Sequence, residues 1–208
     1  MFALETLPEH YHSQIEVKKS KFISYLFALP TNNSQEAKDL TSSYINKLRA
    51  IHPKANHFVY AYRYINEFTQ IDANSSDDGE PKNTSGKPTL NVLRGAGLVN
   101  AGVVTTRYFG GTLLGVGGLV RAYSSSCKEV LARAQSEGLF VPFVERETLE
   151  CNVDYSDFSK IEYEVKKHHL EIMHKNFSLL EVQLRIQGQK EHIVEFSRQN
   201  NLLLKKSL

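Results

Sequence analysis

The chain has 208 residues, 41% of them hydrophobic and 23% charged, with a formal net charge of +2 at pH 7. That length supports one large core or two smaller ones, and so small a charge excludes a protein that grips duplex nucleic acid by its global field. No apolar run approaches a membrane span, and no charged-then-apolar leader opens the sequence, so the expectation is a cytoplasmic protein.

In chain order, "KFISYLFALP" is a short apolar run rich in Phe, Tyr and Ile that stops at Pro30, and it predicts a buried strand. The stretch from Thr31 to Pro53 then predicts a helix. Ser34 is its candidate cap, Glu36 suits its first turn, and Ala37, Leu40, Tyr44 and Leu48 recur at helical spacing. "ANHFVYAYRYI" predicts a strand with Phe58, Tyr60, Tyr62 and Tyr64 on one face and His57, Val59, Ala61, Arg63 and Ile65 on the other.

Residues 70–88, "QIDANSSDDGEPKNTSGKP", read as a long polar loop, and loops of that length inside a compact domain tend to be functional or disordered. "TLNVLRGAGL" predicts a short helix capped by Thr89 and ended by glycines, and "VNAGVVTTRYF" another strand. "RYFGGTLLGVGGLVRAY" follows, placing five of the chain's twelve glycines in residues 107–123. The helix it opens carries Leu119, Tyr123, Cys127, Val130, Leu131 and Ala134 near one face. "GLFVPF" is a break followed by an apolar strand or linker.

From about residue 146 the order β-α-β-β-α-β fits a ferredoxin-like unit. Its predicted helix turns Phe158, Ile161 and Val165 inward, and Leu180, Val182, Leu184 and Ile186 share one strand face. Basic and acidic residues number 15 and 13 through residue 145 and 10 and 10 after it, so neither half is a charged tail. The two cysteines, Cys127 and Cys151, fall in different halves and read as buried, reduced thiols, not a disulfide framework or zinc site. The expected domains are 1–138 and 146–208, joined by a linker at 139–145.

The glycine stretch lies between a strand and a helix, where amides are placed to meet an anion. It lacks the Lys-Ser/Thr of a P-loop, and Val120 stands where a dinucleotide fingerprint needs its third glycine. Two readings stay open: a tight connection with close helix–sheet packing, or a phosphate site. Asp77, Asp78 and Glu80 are either a solvated acidic turn or weak candidates for a hard cation. Arg107, Tyr108, Phe109 and Arg121 are either core and solvated residues or a platform that stacks bases and grips phosphates. His57 reads as a hydrogen-bonded strand histidine, and His168 and His169 suit a helix C-terminus. No Ser-His-Asp constellation, CxxC pair or HExxH is present, which lowers the case for catalysis.

Four ordered blocks, "KSKFI", "HPKANHFVYAYRY", "SDDGEPKNTSGKP" and "TRYFGGTLLGVGGLVRAY", resemble the Impact/YigZ family over nearly all of residues 17–135, and the remainder resembles the smaller domain that many bacterial members carry. Asn83 stands where that pattern commonly has Gly, and Thr105 where it is usually apolar. The resemblance implies an α+β protein of two domains: a βαβ-rich domain like the second domain of ribosomal protein S-five, and a ferredoxin-like domain like the fifth of elongation factor G. Both likenesses imply association with ribosomes or RNA, and the eukaryotic relatives restrain a translation-control kinase by competing for its activator protein.

The leading expectation is therefore a non-enzymatic protein that binds RNA, ribosomes or a translation factor, with no cofactor, no membrane partner and no DNA-specific signal. Its contacts would be Lys82, Lys87, Arg107, Tyr108 and Arg121 together with the backbone at Gly110, Gly111, Gly115, Gly117 and Gly118. The alternatives are a nucleotide- or phosphate-binding enzyme that uses the Gly110–Gly118 turn and a metal at Asp77, Asp78 or Glu80, and a protein-interaction module.

Overall fold

The structure is a computed structural model that describes residues 1–206 except 5, 6 and 9. It divides into two compact units, Met1–Phe143 and Val144–Leu208. In the first, β1 (Phe2–Leu4), β2 (His12–Val17), β3 (Ser20–Ala28), α1 (Ser34–Ile51), β4 (His57–Ile65), β5 (Ile71–Ser76), α2 (Gly86–Gly95), β6 (Ala101–Tyr108), α3 (Gly115–Ser136) and β7 (Phe140–Pro142) follow one another.

Five strands form one antiparallel sheet in the order β2-β3-β6-β4-β5, while β7 pairs with β1. Because β3 and β4 are both antiparallel to β6, they run parallel with β6 inserted between them, a split β-α-β. The alternation read from β4 decides which helix covers which face. Phe58, Tyr62 and Tyr64 pack with Tyr25 and Phe27 against Ala37 and Leu48 of α1. On the opposite face Ala61, Leu26 and Val103 meet Leu93 of α2 and Cys127, Val130 and Leu131 of α3.

Several details differ from the sequence expectation. Asn33, not Ser34, caps α1: its extended backbone lets the side-chain oxygen accept from the amides of Gln35 and Glu36. Leu40 stays exposed on that helix. Helix α2 starts at Gly86, so Thr89 lies inside it, with its hydroxyl donating to the Ser85 carbonyl. The polar stretch 70–88 is not one loop, because Ile71–Ser76 pairs along β4 as an edge strand. Edge strands face solvent on one side and tolerate a polar sequence, which is also why β2 left little signal.

The second unit comprises β8 (Arg146–Asp154), α4 (Tyr155–Lys167), β9 (Glu171–Phe177), β10 (Glu181–Gln189), α5 (Lys190–Gln199) and β11 (Lys205–Lys206). Its antiparallel order β11-β8-β10-β9 is that of a ferredoxin-like fold. Ile161, Val165, Val182, Leu184 and Ile186 share its core with Ile193 and Phe196, whereas Leu180 lies ahead of β10 and is exposed. Cys127 and Cys151 are buried free thiols, and burial pushes them up to about 12 and about 11.

Strand β7 bears on where the first unit ends, since it pairs with β1 and Phe140 packs on the α2–α3 core. A fragment ending at residue 143 should melt several degrees above one ending at 138. Removing Leu139 and Phe140 gives up about 2 kcal/mol of apolar burial, and each kcal/mol is worth roughly 3–4 °C at this size. Equal melting temperatures in thermal circular dichroism would show that β7 contributes nothing.

Candidate functional site

The loop between β5 and α2 is held by its own acids. One oxygen of Asp77 accepts from the Ser85 amide, the Ser85 hydroxyl and the Gly86 amide, and the other from the Asn83 amide. Asp77 thus closes the loop on itself and serves the start of α2 from a distance in sequence. Burial alone would raise its pKa, but the Ser85 hydroxyl and these amides together hold the carboxyl below its ordinary 3.8. Asn83 adopts φ +63, a left-handed conformation that Asn accommodates better than most residues.

Asp78 reaches to the sheet, accepting from the Phe58 amide at 2.6 Å and pairing with Arg49 at 3.2 Å. Its carbonyl accepts a 2.7 Å hydrogen bond from His57 Nδ1, which therefore carries a proton.

Glu80 turns inward. It is 8% exposed, and its Oε1 accepts from Arg107 at 2.6 Å and from the Tyr123 hydroxyl at 2.7 Å, with His57 Nε2 at 3.9 Å. Arg107 is 5% exposed and lies between two rings, 5.4 Å from the centroid of Phe22 and 5.7 Å from that of Phe109. Burial, and then the Glu80 charge, push the Tyr123 hydroxyl far above the ordinary tyrosine value, so it stays protonated and donates.

These contacts revise the sequence reading. Arg107 is a buried partner of Glu80, not a free cation for phosphate. Tyr108 turns back toward α1, where its hydroxyl meets His52 Nδ1 at 2.7 Å and His52 Nε2 meets Tyr25 at 2.5 Å. Asp77, Asp78 and Glu80 point to different protein partners, and among the described residues no three His, Cys, Asp or Glu side chains converge as a metal site.

The glycine turn has two physical requirements. At Gly110 a Cβ would collide with the backbone of Lys19 and Ser20, and its amide donates to the Ser20 hydroxyl, so the β2–β3 turn packs directly on it. At Gly115 the chain enters α3 with φ +69, a conformation costly for other residues. Gly111 is exposed on the turn, and Gly117 and Gly118 occupy the first turn of α3. That helix starts with no side-chain cap and no acid in its first turn.

The turn also lifts apolar side chains into solvent. Leu113 is 84%, Val116 65% and Phe109 47% exposed, and they wall a cavity of about 420 Å³ whose floor includes Arg107, Glu80 and His57. Exposed cations of this unit include Lys18 and Lys19 of the β2–β3 turn, Lys82 beside the cavity-lining Pro81, Lys87 on α2, and Arg121, whose guanidinium lies next to Gly117. No ion pair among the described residues holds any of these five. The sequence reading missed Leu113, Val116, Lys18 and Lys19. Apolar residues set inside a glycine turn were the available signal, because a turn has no core to bury them.

The geometry defines a two-unit α+β protein whose first unit displays this turn beside a buried ion-pair cluster. The pattern of the Impact N-terminal domain matches residues 18–131, and the chain belongs to the Impact family. It is 38% identical to the IMPACT family member YvyE of Bacillus subtilis over 78% of this chain and 69% of the relative. To the IMPACT family member YigZ of Escherichia coli it is 34% identical over 88% and 84%. A crystal structure described as a hypothetical protein is similar across both units, with a TM-score of 0.64, 28% identity and coverage of 95% and 94%. No helix among the described residues is long and apolar enough to cross a membrane.

Two measurements probe the cluster. Glu80→Ala leaves the Arg107 charge buried alone and should cost about 3–5 kcal/mol in urea unfolding, whereas the double change Glu80→Leu, Arg107→Met should recover most of that loss. Equal losses in the single and double variants would show that the ion pair is not what matters. Asp77→Asn should cost about 1–3 kcal/mol near neutral pH. Because the folded pKa of Asp77 is depressed, its contribution is present above about pH 3.8 and fades on acidification through the folded value, so wild type and variant should converge in acid. A pH-independent difference would refute the carboxylate's role.

Proposed function

We propose that this chain is a non-enzymatic binding protein of the translation apparatus, engaging RNA, the ribosome or a translation-factor protein through the surface around the β6–α3 turn. The observation that carries the reading is that turn itself. Uncapped amides at the start of α3 and exposed apolar side chains lie near Lys82 and Arg121, which no ion pair among the described residues holds, while the acids nearby are engaged by protein contacts. Cations left outside ion pairs are available to steer and orient a partner of opposite charge. The translation setting rests on family membership and on what the resemblance implies for it.

Lys82, Lys87 and Arg121 are the proposed phosphate or acidic-side-chain contacts, with the amides of Gly115, Gly117 and Gly118 beside them. Arg107 and Tyr108 act indirectly, by fixing the turn. The phosphate-binding enzyme reading loses support, since its three candidate metal ligands are each engaged by the protein.

Binding of RNA by fluorescence polarisation and of ribosomes by sedimentation should fall steeply as salt rises. Replacing Lys82, Lys87 and Arg121 by Ala should weaken it and reduce the salt slope by roughly one for each phosphate no longer neutralised. Absence of binding to RNA, ribosomes and translation factors at low salt would overturn the proposal.

A further inference from the structure

The cavity under Leu113 and Val116 is specific in its chemistry. Its walls are Phe109, Leu113, Leu114, Val116, Leu119 and Pro81, five of them aliphatic, and one aromatic ring stands at its edge. Base-stacking surfaces are built from several aromatic rings, whereas these walls are mainly aliphatic. An aliphatic or phenyl side chain loses nothing there and gains the full benefit of burial.

The rim adds sign. The exposed Lys82 follows the lining residue Pro81, and the Arg121 guanidinium lies at Gly117, one residue beyond the lining residue Val116, while Asp77, Asp78 and Glu80 are occupied internally. We infer that this cavity receives one large apolar side chain of a partner polypeptide, flanked in that partner by Asp or Glu residues that meet these two cations. The inference deepens the function proposed above by naming the kind of segment the turn surface takes. The apolar anchor supplies affinity, and the flanking charges supply steering and register.

The test is selection of a randomised displayed peptide library against the whole protein, followed by polarisation with the labelled consensus peptide. Enriched sequences should carry Leu, Ile, Met or Phe between acidic residues, and changing that residue to Ala should weaken binding about tenfold or more. Val116→Asp and Leu113→Asp should each abolish it. Both positions are exposed, and an acid in the first turn of a helix is compatible with folding, which an unchanged melting temperature verifies.

Enrichment of peptides without that pattern, no enrichment, an Ala-centred peptide that binds equally well, or binding that survives Val116→Asp would each overturn the inference. So would loss of RNA binding in Val116→Asp when no peptide is selected, which assigns the cavity to nucleic acid. Sedimentation with ribosomes in parallel separates the two proposals. Unaltered sedimentation of Val116→Asp overturns the cavity assignment and leaves the ribosome reading standing. Peptide binding without ribosome, RNA or factor binding does the reverse.

Discussion

The first unit depends on one buried carboxylate. Glu80 comes from the β5–α2 loop, Arg107 from the central strand β6 and Tyr123 from α3, and all three meet at a single oxygen. Residues 27 and 43 positions away in sequence are thereby drawn to one atom. Removing any partner leaves a polar or charged group in a low-dielectric interior, where it costs far more than at the surface. The polar loop is therefore not a mobile appendage. It is clamped to the sheet by Glu80 and Asp78 and closed on itself by Asp77.

That clamp also explains the position of the turn. Arg107 is the next-to-last residue of β6, so fixing its side chain fixes where the strand ends and where Phe109 leaves the sheet. Gly110 then passes so close to the β2–β3 turn that no side chain fits, and Gly115 admits the chain to α3. Between them Leu114 packs back against the Phe22–Tyr123 cluster, while Leu113 and, just past Gly115, Val116 remain in solvent. Exposed apolar side chains held rigidly cost less to immobilise on binding than mobile ones.

The fold was largely legible because its helices and central strands carry strong periodicity. All six residues placed on the inner face of α3 are buried, and the β4 alternation separates the two helical layers correctly. The edge strands β2 and β5 were not legible, since pairing on one side relaxes the demand for apolar alternation. The candidate site was legible as a region but not in its roles. Glycine density and polar composition pointed to the right segments. Whether an arginine beside them faces solvent or a glutamate 27 residues away depends on tertiary pairing, which no local pattern encodes.

The same pairing commits one oxygen of Glu80 to the interior of the unit. Glu80 Oε1 is already shared by two donors, and His57 is oriented by the Asp78 carbonyl with its remaining nitrogen toward that occupied oxygen. The acids of the motif hold the loop in place beside a largely apolar cavity, with the exposed Lys82 next to its lining residue Pro81. Such a division suits recognition. The internal ion pair makes the surface rigid without engaging the outward charges, and those remain available to whatever partner carries the opposite sign.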